Sequence, residues 1–324
     1  MIKTRVCELL NIEHPVAIGG MGSIFSPPLV SAVSQGGGLG AMGCHRLTID
    51  QIKSATAEIR QGTNKPFALN FLLFDFDEAC FQTALDEGPS VMAFAWSRPE
   101  HDLKHYFDRA HQIGAKVTYM VGSVEDAVRG AEAGADVIIA QGTDGGGHVH
   151  WVGTLALVPM VVDAVAPIPV LAAGGIADGR GLAASLSLGA EGVLLGTRFL
   201  ASDESPLHPN FKQAIVDSDG HDTVLTEIPD IAQAIVWPGG MSRARRNRFI
   251  RRWAGREWEL RQHQSEALAK LQEARRQGDI EEAPLSMGQD AGLITEIMPA
   301  GEIISRMVEE AENILSNRLP GLLG

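Results

Sequence analysis

From residue 15 to about residue 200 the chain alternates between two hydrophobic patterns. Short runs of apolar, often β-branched residues are followed by longer stretches whose apolar positions recur at helical spacing. The short runs fall at 15–20, 39–43, 67–73, 91–96, 116–121, 136–141, 169–173 and 192–199. They read as strands buried on both faces. Helical patterns lie between them, for example at 27–35, 49–60, 102–112, 124–133, 155–165 and 181–188. Glycines close two of these, at Ala133-Gly134 and Leu188-Gly189, where a helix needs a left-handed stop. Ser123, with Asp126 three residues on, opens another as a side-chain cap. Eight strand–helix units in succession predict an α/β protein, a parallel (β/α)8 TIM barrel. A doubly wound sheet is the competing architecture; the lack of a GxGxxG motif after the first strand weakens it.

After residue 199 the alternation stops. Residues 203–288 are richer in charge and helical pattern and carry no clear strand. The expectation is a helical insertion after strand eight that caps the barrel and meets the substrate. The barrel itself would then comprise 1–202 and 289–324, with residues 300–315 as its eighth helix. The stretch 155–177 is apolar enough to mimic a membrane span. Pro159, Asp163, Pro167, Pro169 and the Gly174-Gly175 pair break it into helix, turn and strand, so no membrane association is expected.

Charge narrows the range of partners. A net charge of −13 argues against general binding to nucleic acid or to an anionic membrane. Within the insertion, Arg243, Arg245, Arg246, Arg248, Arg251, Arg252 and Arg256 form a basic run. It reads as a solvated face paired with acids, or as a dock for an acidic or phosphate-bearing partner. Cys7, Cys44 and Cys80 show neither an even count nor CxxC spacing, which indicates no disulfide framework and no metal site. Together with the absence of a secretory pattern at the N-terminus, they suggest a cytoplasmic protein.

Three glycine clusters carry the chemistry. Gln141-Gly142-Thr143-Asp144-Gly145-Gly146-Gly147-His148 follows the sixth strand. Bare glycines let backbone approach a flat ligand, and the histidine at the lip exchanges protons near neutral pH. Ala173-Gly174-Gly175 closes the seventh strand, and Gly196-Thr197 lies at the end of the eighth. In barrels, the loops after strands seven and eight cradle a phosphate with backbone N–H groups. Gly19-Gly20-Met21-Gly22 adds small residues and a soft side chain at the end of strand one. A phosphate at one edge and a planar body across the top suit flavin mononucleotide (FMN), with a sugar phosphate as the simpler alternative.

These residues resemble the nitronate monooxygenases, formerly 2-nitropropane dioxygenases, which are FMN-dependent barrel enzymes. The likeness runs through Gly36-Gly37-Gly38-Leu39-Gly40, Asn70, Gly114-Ala115-Lys116-Val117, Gln141-Gly142, Gly146-Gly147-His148, Ala173-Gly174-Gly175-Ile176, Gly196-Thr197-Arg198-Phe199 and Met287-Gly288-Gln289. It implies that Gly174, Gly175, Gly196 and Thr197 hold the FMN phosphate, beside Ala173. It implies that Gly20, Met21, Gly22, Asn70, Lys116, Gln141, Gly142, Gly146 and Gly147 line the ring and ribityl chain. Gln289 would close the pocket, and His148 would be the catalytic residue facing substrate. The implied reaction oxidises an alkyl nitronate with dioxygen to a carbonyl compound and nitrite. The alternative is an FMN-dependent NAD(P)H reductase of quinones or enoyl thioesters. A homodimer is one of the assemblies open to such a chain. Trp96, His150 and Trp151 depart from the family pattern and place the differences on the substrate side.

Overall fold

The computed structural model describes residues 2–21 and 24–322. In chain order its strands are β1 (Val16–Ile18), β2 (Gly40–Gly43), β3 (Phe67–Leu72), β4 (Val91–Ala95), β5 (Lys116–Val121), β6 (Val137–Gln141), β7 (Gly147–Val149), β8 (Val170–Ala173), β9 (Val193–Leu195), β10 (Thr223–Thr226) and β11 (Met241–Arg245). Eight form one parallel sheet in the order β1-β9-β8-β6-β5-β4-β3-β2. A bridge between Ala17 and Leu39 joins the ends, with Leu39 N–H donating to Val16 O at 2.9 Å and Ile18 N–H to Leu39 O at 3.0 Å. The sheet is thus a closed barrel with helices in the crossovers, the predicted TIM barrel.

Local chemistry explains the beat. The strands are almost wholly apolar because helices cover one face and barrel packing the other. Five of the barrel helices begin at capping side chains. Thr48 and Gln51 form a reciprocal capping box, and Asp77, Asp102, Ser123 and Asp178 each accept a backbone N–H of the first turn. Helix Ala300–Asn313 packs across helices Gly179–Ser187 and Pro27–Gln35 and so closes the outer ring.

Two expectations need correction. The eighth strand is shorter than 192–199, because a short helix, Thr197–Leu200, starts at once after Gly196. The insertion is also not wholly helical. Strands β10 and β11 form an antiparallel ribbon within it, and β11 pairs in turn with β7, which belongs to the loop after β6. The Thr- and Arg-rich sequences of β10 and β11 lack the apolar run of a buried strand, so no pattern announced them. A separate apolar cluster around Ile228, Phe249, Ile250, Leu260 and Leu271 stabilises the insertion. A second cluster, with Leu200, Ala201, Phe211, Ile215 and Met287, fastens it to the barrel rim. The basic run is largely neutralised internally. Arg245 pairs with Asp222 and Glu281, Arg248 and Arg252 with Glu282, Arg251 with Glu281, and Arg256 with Glu259.

Candidate active site

A cavity of about 830 Å³ opens at the C-terminal ends of the barrel strands, under the insertion. Gly20, Met21, Asn70, Gln141, Gly146, Gly147, His148, Ala173, Gly174, Gly175, Gly196 and Thr197 all line it. Residues predicted from separate stretches of chain therefore converge on one wall. Gly22 lies outside the described residues.

One end is shaped by missing side chains. Gly174 and Gly175 sit at φ +97° and +74°, a region that strains any side chain. A Cβ on Gly174 would lie 2.7 Å from Gly142 O, and one on Gly175 2.9 Å from Asp144 Cβ. Gly196 differs, because a Cβ there would meet no protein atom within 4 Å and would project into free volume. The turn is fixed by Asp144, whose carboxylate accepts the Thr154 N–H at 2.7 Å, while the Thr154 hydroxyl donates to Gly174 O at 2.9 Å. Gly288 N–H donates to Thr197 Oγ1 at 2.9 Å and ties the segment after the insertion to the same corner.

The other end carries imidazoles and indoles. His148 lies in β7 opposite Ser242 of β11, so pairing with the insertion sets its backbone. Its Nε2 is 2.9 Å from Asp230 Oδ1, and Asp230 is buried. The His148 ring stacks on Trp237, centroids 3.4 Å apart and planes 7° apart. Trp96 approaches both edge-on and holds a left-handed backbone at φ +57°, costly for a bulky residue and typical of a constrained site. His150 stacks behind Trp96 at 4.6 Å, supporting it from outside the cavity, and Trp151 is exposed. His45 completes the wall. Burial holds its imidazole below the usual histidine range, outweighing Asp75, whose Oδ2 is 3.7 Å from Nε2.

Three predicted residues do not reach this wall. Lys116 is the first residue of β5, so it lies at the opposite end of the barrel, where its Nζ pairs with Asp136 Oδ1 at 3.2 Å. Thr118 and Met120 are the β5 side chains that face the cavity. Gly142 packs against Thr154, where a Cβ would fall 2.3 Å from Thr154 N. Gln289 points outward while its neighbour Asp290 lines the cavity. Conversely, Asp230, Trp237, His45 and Asp290 carry site geometry that no sequence motif indicated. The cradle, an imidazole backed by a carboxyl, and flat aromatic walls together suit an anionic tail, a planar body and proton transfer beside it.

Comparison with known proteins identifies the family. The family model described as nitronate monooxygenase matches residues 3–80 and 75–310. The chain belongs to the nitronate monooxygenase family. A probable nitronate monooxygenase of Staphylococcus saprophyticus is 32% identical, with 97% of this chain and 99% of that protein aligned. FabK of Thermotoga maritima superposes with a TM-score of 0.89 at 38% identity, covering 99% of this chain and 100% of FabK. A Mycobacterium tuberculosis carboxyl-CoA dehydrogenase acting on a hydroxy-methyl-oxo-octahydroindene skeleton is 40% identical over 228 residues. That alignment covers 69% of this chain and 63% of the relative. As a member of the nitronate monooxygenase family the protein is a flavin-dependent oxidoreductase.

Proposed function

We propose that the protein binds FMN and oxidises alkyl nitronates with dioxygen to a carbonyl compound and nitrite. The observation that supports this most is the single cavity wall that joins the Gly174–Gly175 and Gly196–Thr197 cradle to His148. Fit to the cofactor rests on the cradle itself. The backbone is bare where a phosphate would approach, and the position of a Gly196 Cβ is vacant. Gly174, Gly175, Gly196 and Thr197 would hold the phosphate, while Met21, Asn70, Gln141, Gly146 and Gly147 would border the ring and ribityl chain. When bound, the flavin supplies the electron-accepting and dioxygen chemistry.

The protein's own residues do the rest. With Asp230 Oδ1 2.9 Å from His148 Nε2, an Nε2–H donated to the carboxylate would fix the tautomer and leave Nδ1 as the acceptor. That nitrogen is suited to take a proton from a neutral nitroalkane, and the protonated ring would steady an anionic nitronate. Trp237 holds the imidazole flat from one face. The indoles of Trp96 and Trp237 give the cavity apolar wall beside the imidazole, which would shield the reacting atoms from water.

A second function has its own support. The identities to FabK and to the mycobacterial CoA-thioester dehydrogenase, 38% and 40%, exceed that to the staphylococcal nitronate monooxygenase. They favour an NAD(P)H-dependent reductase of quinones or enoyl thioesters. An anaerobic titration separates the two. FMN-loaded protein is mixed in turn with an alkyl nitronate, NADH and NADPH while the oxidised flavin band is followed. Bleaching by nitronate alone supports the monooxygenase. Bleaching by a nicotinamide alone replaces it with the reductase.

A further inference from the structure

A buried carboxyl stands where the cavity is built for an anion. Asp290 lies in the short 3-10 turn Gln289–Leu293, is only 5% exposed, and shares the cavity wall with Gly175, Gly196 and Thr197. Its Oδ1 has no hydrogen-bond partner among the described residues. A Cβ on Gly288 would fall 2.1 Å from that oxygen, so a bare residue 288 gives the carboxyl its place. Because the Thr197 hydroxyl oxygen already accepts from Gly288 N–H, its hydrogen is free to turn towards Asp290 or a ligand.

Two charged groups act on it, and those of the neighbouring helix and the turn beyond it are engaged elsewhere. Arg198, beside Thr197, favours the ionised carboxyl, but its guanidinium already donates to Ala201 O and Glu296 O at 2.9 and 2.7 Å. Asp144, from the loop after β6, opposes ionisation. Lys212, on the packed helix Pro209–Val216, donates to Ser202 O and Asp203 O. Asp219, beyond that helix, caps the His221 N–H. Burial is the largest influence; it outweighs the residue's own backbone N–H, the Thr197 hydroxyl and Arg198, and pushes the Asp290 carboxyl up to about 7.

We infer that Asp290 binds the cofactor phosphate as a neutral acid, its carboxyl O–H donating to a phosphate oxygen, so that loading the enzyme takes up a proton. An ionised Asp290 beside a phosphate dianion would set like charges together in a dry site, whereas the neutral acid adds a donor. The proton comes from solvent and joins the carboxylate as the phosphate enters. This rests on the FMN reading above.

The test is FMN affinity against pH, read by flavin fluorescence on the full chain stripped of flavin. Between pH 7.5 and 9 the phosphate, whose second ionisation lies near 6, is constant. The Kd of the native protein is then expected to rise about tenfold per pH unit, one proton per ligand. Calorimetry at pH 8.5 in two buffers of different ionisation enthalpy should show that proton being taken up. Riboflavin, which lacks the phosphate, should bind with a flat profile, and so should FMN with D290N. A flat FMN profile in the native protein, or the same slope with riboflavin, overturns the inference. Tight FMN binding with a flat profile overturns the role of Asp290 alone, while no FMN binding at any pH overturns the FMN reading as well. Should D290N fail to fold, the native slope and the riboflavin comparison still decide.

Discussion

Gly196 and Gly175 separate cofactor binding from folding. Gly196 has a negative φ, −118°, and a Cβ there meets open volume. Because no protein atom obstructs it, the Gly196→Val side chain should leave the flavin-free protein folded and melting within a few degrees of the native protein. The same side chain would enter the space proposed above for the phosphate. Losing two charge-assisted hydrogen bonds, at ~1.5–3 kcal/mol each, should weaken FMN by about 10²–10⁴-fold. Gly175→Val behaves differently. At φ +74° its left-handed backbone costs roughly 1–2 kcal/mol in any L-residue. The 2.9 Å approach to Asp144 adds to that, so the flavin-free protein itself should melt earlier. The assay pairs thermal unfolding of the flavin-free protein with FMN titration for both variants. Native-like FMN affinity in Gly196→Val would refute the phosphate placement. An unchanged melting temperature in Gly175→Val would refute the argument from backbone strain.

Other outcomes follow from the same geometry. Asp230→Asn should lower kcat/KM for nitrite release by roughly 10–100-fold, the worth of one charged hydrogen bond to His148, with FMN affinity unchanged; weakened FMN binding would place Asp230 elsewhere. Trp237→Ala frees the ring it stacks on, so kcat should fall and its pH profile shift, whereas a change confined to KM would make Trp237 a substrate wall only. Lys116→Ala should leave FMN affinity within about twofold and cost at most ~1 kcal/mol of stability, as expected for a half-exposed ion pair remote from the cavity. Burial raises the Asp136 carboxyl, yet hydrogen bonds from Val117 N–H, His111 and Lys116 outweigh burial and hold it below the usual range. Its stabilisation is present above the unfolded value of about 3.9 and is lost as pH falls through the lower native value. Asp136→Asn should therefore be less stable at pH 7 and lose less stability on acidification, which urea melts at pH 7 and pH 3 would reveal.

What the sequence revealed and concealed has physical causes. Barrel strands are written in local apolar runs, and the bare cavity wall at Gly174–Gly175 and Gly196–Thr197 is written in absent side chains, so both were legible. Lys116 misled because its motif matched while its place as the first residue of β5 sets it at the wrong end of the barrel. A reader who required a strand's C-terminal end would have chosen Met120 instead. Gln289 and Asp290 are adjacent, and only the turn geometry decides which one faces inward. Asp230 and Trp237 lie more than eighty residues from His148, so no spacing rule links them. They become visible only through β11, whose polar sequence gives no strand signal.

The pairing of β7 with β11 divides labour between two parts of the molecule. The barrel rim carries the cradle, and the insertion supplies the carboxyl and indole that hold His148. Gentle heating that loosens the small insertion core first would leave a yellow protein that no longer turns over. Because the groups that hold His148 come from the insertion and the glycine wall from the barrel, a change in the insertion can alter the imidazole's surroundings without touching that wall.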